Sequence, residues 1–206
     1  MPGRYAYGVV DNQFMGNARA SKERRRAARD AGREVPLWHG GVAGLSAGNR
    51  LRPPTHTNDP ASVSKMGIAG VRADRVYFTT DRELARAFAA MVRVGAGHSA
   101  LYRVQPLDEM EVDPDFPSVG FQAKQALILE VAETDVTLSR EEQLKRQQPY
   151  LTWADGRLIW NAEGRLQLCP KWAAVGLTQL DVDAMFRPWT PVEHAENAIW
   201  HWHYDR

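Results

Sequence analysis

Trp38-His39-Gly40-Gly41 and, further along the chain, Val76-Tyr77-Phe78-Thr79-Thr80-Asp81 are the stretches on which the reading of this sequence turns. Arg75 to Thr80 reads as a strand and Thr80 to Val94 as a helix. Thr80 with Glu83 three residues later has the capping-box spacing, and Leu84, Ala87, Phe88 and Met91 repeat at helical intervals. Working outward, Leu101 to Val104 and Ala126 to Val131 are strand-like, and alternation continues through Ala132 to Leu138. Ser139 with Glu142 opens another helix. Trp153 to Trp160 and Asn161 to Leu168 are two β-like runs, each with an internal turn signal, and predict a meander. Thr178 to Phe186 reads as a short capped helix. Strands and helices without regular βα alternation predict an α+β fold with antiparallel pairing.

A chain of 206 residues suffices for one globular domain. Three regions are expected within it: a basic helical extension over 1–36, a core over 37–138, and a Trp-rich extension over 139–206 packed on that core. Cys169 is the single cysteine, so an internal disulfide is excluded. Met1 to Val10 lack the order of a signal peptide and no apolar run is long enough for a membrane span, so a cytoplasmic, non-membrane protein is expected. Net charge is +1, which argues against bulk capture of nucleic acid. The charge is nevertheless uneven: Arg19, Lys22, Arg24, Arg25, Arg26, Arg29 and Arg33 crowd one stretch. Asn17 to Gly32 reads as a polar helix, either a solvated face or a contact for nucleic acid or an acidic partner. Pro53 to Gly70 reads as a long loop.

Several motifs are excluded by their context. Gly44-Leu45-Ser46-Ala47-Gly48 matches a nucleophile elbow and His39-Gly40-Gly41 an oxyanion-hole sequence. Pro53-Pro54 interrupts the helix an elbow requires, so Ser46 is read as a turn residue. Neither a dinucleotide-binding glycine motif nor a P-loop is present. His201-Trp202-His203 would place both imidazoles on one face of a strand, with His194 or Asp205 to complete a metal site. A half-exposed aromatic strand edge is the preferred reading there, and no metal is expected. Trp153, Trp160, Trp172, Trp189 and Trp200 are read as packing a second layer.

The order His39, Tyr77, Asp113 remains, with Leu101-Tyr102-Arg103-Val104 and Glu111-Val112-Asp113-Pro114 between and around them. With Gly48, Leu51 and Pro53, and with Ala126-Leu127-Ile128-Leu129-Glu130-Val131, the region from Leu37 to Leu138 resembles ADP-ribosyltransferases of the His-Tyr-acid type. It is most similar to the small bacterial rifamycin (rifampin) ADP-ribosyltransferases, with N- and C-terminal extensions. The resemblance implies two packed, mostly antiparallel sheets around an NAD cleft. It implies that His39 bonds a ribose of NAD, that the Gly40 backbone pairs with the nicotinamide carboxamide, and that Tyr77 stacks on the nicotinamide. Phe88 falls where related polymerases place a second aromatic, and Asp113 takes the acidic position. The implied activity is cleavage of the nicotinamide glycosidic bond of NAD, with ADP-ribose passed to a small molecule, protein or nucleic acid. NAD glycohydrolysis and a non-catalytic module that binds ADP-ribose or nucleic acid are the alternatives.

Overall fold

The computed structural model describes residues 35–56, 72–92 and 98–204. The basic stretch from Arg19 to Arg33 and most of the Pro53–Gly70 loop lie outside them. Of that loop, Pro54–His56 forms one 3-10 turn.

Among the described residues seven strands form one sheet: β1 (Leu37–Val42), β2 (Arg50–Leu51), β3 (Val76–Thr79), β4 (Ser99–Pro106), β5 (Glu111–Val112), β6 (Gly120–Ala123) and β7 (Ala126–Thr134). Their order is β2-β7-β4-β1-β3-β6-β5, and each pairing is antiparallel. The expected α+β class with antiparallel pairing is therefore present. Among the described residues the expected pair of sheets is not, because Trp38 pairs with Thr79 and joins both groups of strands. That is the one register pair between β1 and β3, whereas β1 and β4 share six, from Leu37↔Val104 to Val42↔Ser99.

Alternation along the strands divides the side chains between two faces. One face buries Leu51, Val76, Phe78, Ala100, Tyr102, Val104, Ala123, Ala126 and Ile128 against one another. The opposite face carries Trp38, Gly40, Leu101, Tyr77 and Thr79. Helix α1 (Arg82–Ala90) lies on it, packing Ala85 and Ala89 against Leu101, Val136 and Trp38. Leu84 is fully buried, a stabilisation of about 2 kcal/mol for that side chain. The helix starts one residue later than the sequence predicts. Asp81, not Thr80, is the N-cap, and its carboxylate accepts the N–H groups of Glu83 and Leu84 at 2.8 and 3.2 Å. A carboxylate at this position also faces the positive end of the helix dipole, which a threonine hydroxyl does not complement with charge.

The remaining helices are α2 (Arg140–Gln147), α3 (Pro170–Ala174), α4 (Gln179–Met185) and α5 (Val192–Tyr204). Ser139 and Glu142 form the expected reciprocal capping box of α2, and Thr178 with Asp181 forms another at α4. The predicted meander over 153–168 is reduced to two isolated bridges, Thr152↔Leu158 and Trp160↔Leu166. Backbone bonds from Trp153 to Arg157, Ile159 to Leu151, Asn161 to Arg165 and Gln167 to Ile159 join the runs, and side chains add to them. Trp153 Nε1 donates to the Gln167 carbonyl, Gln148 Nε2 to that of Trp160, and Gln179 Nε2 to that of Leu166. The His201-Trp202-His203 tail belongs to α5 and is not a strand. Residues two apart on a helix diverge by about 200°, so the shared face that motivated a histidine metal pair is lost.

Trp160, Trp172, Leu144, Leu166, Val182 and Ile199 pack in a core of their own, with Trp153 and Trp189 against it. Trp153 and Trp172 meet edge to face at 5.2 Å. Trp200, by contrast, is half exposed. Among the described residues no helix is long and apolar enough to cross a membrane.

Candidate functional site

His39 and Tyr77, two of the residues that the sequence singles out, meet at the seam between β1 and β3. Since the ladder there has a single pair, His39 has no strand partner on its β3 side. Its imidazole enters the seam, where Nδ1 lies 2.7 Å from the Tyr77 carbonyl. A carbonyl only accepts, so Nδ1 carries the proton and Nε2 is the open lone pair. Burial holds the imidazole below its ordinary pKa, partly opposed by that hydrogen bond. The ring is thus neutral at pH 7. It stacks on buried Tyr102 at 6.3 Å, and the Tyr102 hydroxyl donates to the Val42 carbonyl.

The two glycines after His39 serve different neighbours. A Cβ on Gly41 would sit 2.7 Å from His39 Nε2, so glycine there makes room for the imidazole. A Cβ on Gly40 would meet the backbone of α1 at the Ala85 carbonyl and, at 2.5 Å, the Ala89 nitrogen. The resemblance implies that the Gly40 backbone pairs with a nicotinamide carboxamide. In the structure the missing Cβ admits a helix.

Tyr77 and Asp113 share the α1 face. Register places Tyr77 opposite Gln122, which is opposite Glu111, while Thr79 lies opposite Gly120. Asp113 follows β5 and donates its N–H to the Gly120 carbonyl, which extends that second row. His39 lies on the other face by alternation and meets Tyr77 through the backbone. The phenol and the acid therefore share one face, Tyr77 on β3 and Asp113 after β5, two strands away, while the imidazole stays on the other face against Tyr102 with its Nε2 beside Gly41.

Asp113 is 7% exposed and its Oδ1 accepts the Asp115 N–H at 3.0 Å. Burial pushes its carboxyl up to about 6; the Asp115 N–H opposes this and the Asp115 charge adds to it. Asp115 is itself raised by partial burial. The Tyr77 phenol is raised, first by burial and further by the charges of Asp113 and Asp115. Its oxygen accepts the Arg72 N–H at 2.6 Å. Arg72 and Arg75 both clasp Glu111, at 3.1 and 3.2 Å, and Gln122 Nε2 donates to Glu111 at 3.4 Å. Gln122 is 4% exposed, and among the described residues its Oε1 has no hydrogen-bond partner.

Phe88 projects from α1 into an aromatic trio. Its ring meets Phe116 edge to face at 5.4 Å, and Phe116 meets Tyr150 at 6.3 Å. The Tyr150 hydroxyl donates to Asp81, the cap of α1, and burial with that carboxylate pushes the phenol up to about 12.

Sequence reasoning missed Glu111, Asp115, Phe116, Gln122 and Tyr150. Strand alternation alone could have placed Glu111 on the face of Asp113, since the two are separated by one residue. Nothing local marks Tyr150, which reaches Asp81 across 69 positions of chain. No protein-family model matches the chain, and no curated protein matches it.

Proposed function

We propose that this chain is a mono-ADP-ribosyltransferase with an ADP-ribosyltransferase-like fold, binding NAD at the β1–β3 seam. The observation that carries the reading is the juxtaposition of Tyr77 with buried Asp113 on one face, at the point where His39 crosses to the Tyr77 carbonyl. Tyr77 and Asp113, two of the three residues that the resemblance implies, thus share a face, and His39 reaches Tyr77 through its backbone.

In this reading Tyr77 with Phe88 supplies aromatic surface for the nicotinamide, and His39, from the other face, acts through its bond to the Tyr77 carbonyl, which holds that strand in place. The C1′–N bond of the nicotinamide ribose breaks and its electron pair leaves on the nicotinamide nitrogen, giving neutral nicotinamide. Positive charge then develops on the ribose, and ionised Asp113 stabilises charge that is greatest in the transition state. An acceptor nucleophile forms the new bond to C1′ and its proton passes to the carboxylate. A small molecule, a protein side chain or a nucleic acid can fill the acceptor role, and with water the same step is glycohydrolysis. The basic stretch Arg19 to Arg33 is the candidate contact for a polyanionic acceptor.

The test is nicotinamide release from NAD, followed by chromatography. Wild type should release it in the presence of an acceptor mixture, and Asp113→Ala should lose at least about 100-fold in rate. Equal rates in the two proteins, or no release by wild type with any acceptor, overturn the reading.

A further inference from the structure

The aromatic trio beside Asp113 is built partly from outside the 37–138 region. Phe116 lies in the turn that follows Asp113, its N–H returning to the Asp113 carbonyl, and the Cβ atoms of both residues converge on Gly120. A side chain at 120 would stand 2.7 Å from Phe116 Cβ and 3.0 Å from Asp113 Cβ, so the glycine lets this turn close onto the strand. Phe116 is then flanked by Phe88 from α1 and by Tyr150 from the segment after α2. Tyr150 is in turn tethered through its hydroxyl to Asp81.

We propose that Tyr150 is a positioning residue of the candidate site: it holds Phe116 as the cover that keeps water from the Asp113 carboxyl. The C-terminal region thereby becomes part of the acid's environment. Its catalytic consequence rests on the reading of Asp113 as the acid of an NAD cleft, whereas its physical consequence does not. A carboxyl loses its elevated pKa when the apolar group that desolvates it moves away. The other groups facing this carboxyl are Asp115 from the same turn and Tyr77 from β3. On β5, Glu111 is held by Arg72 and Arg75. Asp81 and Glu83 of the α1 start stand beyond the aromatic trio, bonded to Tyr150 and to Arg86 and Arg146 respectively.

The experiment follows the Asp113 carboxyl by carbon NMR through a pH titration of the full chain, its resonance identified by loss in Asp113→Asn. In wild type the midpoint is expected near 6. Phe116→Ala and Tyr150→Ala should each lower it by about one unit, toward the ordinary carboxylate range. Tyr150→Phe, which keeps the ring and deletes only the tether, should lower it by a smaller amount. An unchanged midpoint in Phe116→Ala overturns the cover. An unchanged midpoint in Tyr150→Phe together with Tyr150→Ala overturns the tether, and Tyr150→Phe alone decides it if the alanine variant does not fold. In the nicotinamide-release assay the acidic limb of the kcat profile should move by the same amount as the NMR midpoint. If wild type releases no nicotinamide the functional reading fails, and the titrations still judge the positioning role.

Discussion

Under the proposed function, Asp113 carries a conflict between stability and chemistry. Its folded pKa lies above the ordinary value of 3.8, so the folded protein binds a proton more tightly than the unfolded chain does. The associated stability is present below about pH 4 and is lost as pH rises through about 6. Asp113→Asn removes the conflict. At pH 7 to 8 it should be more stable than wild type by up to about 3 kcal/mol, measured as a raised melting midpoint, while nicotinamide release disappears. A variant less stable than wild type at pH 8 would contradict the burial of an ionised group. Nicotinamide release by wild type should itself rise with pH through about 6, as the carboxyl ionises. Gly41 offers a gentler probe. Gly41→Ala collides with the movable end of the His39 ring and not with backbone, so the fold should persist. The loss should fall on the imidazole's bond to Tyr77, seen as weaker NAD binding by about tenfold in calorimetry.

Among the elements, α1 and β1 depend on each other through one missing atom. Gly40→Ala drives a methyl into the Ala85 and Ala89 backbone, which cannot yield as a side chain can. Denaturant titration should show a loss of about 1–3 kcal/mol, larger than that of Gly41→Ala. The sequence made much of this region legible. The strand at Val76 and the helix after it follow from local alternation and period, and the Ser139 box predicts α2 by its hydrogen-bonding logic. β1 was harder to see, because Gly40-Gly41 weakens strand propensity and pairing with β4 is what sustains it. The strand expected at the tail fails for a related reason. The aromatic and histidine run from Ile199 to Tyr204 has residues of high strand propensity, yet Ile199 and Ala195 are buried four apart, a spacing that serves helix α5. His39, Tyr77 and Asp113 were legible as an order. Their division between two faces was not, since it depends on a pairing between β1 and β3 that no local pattern specifies.

The molecule as a whole has its C-terminal tryptophan core distinct from the core of the sheet. Between them, Arg146 reaches Glu83 at 2.9 Å, Gln147 Nε2 points at Met91 sulfur, and Tyr150 holds Asp81 while its ring meets Phe116. Trp172→Ala should therefore cost about 3–5 kcal/mol and act first on residues 151–199. Hydrogen exchange should show that region losing protection before β4 and β7 do. Uniform loss across both regions would mean that the two cores unfold as one. The seam between β1 and β3 has a mechanical consequence. A sheet sewn by ladders on either side and by one stitch in the middle bends there first, as two stiff panels about a crease. A ligand that bridges the crease would quiet that motion, so part of its binding free energy would be spent as lost entropy in a region it barely touches.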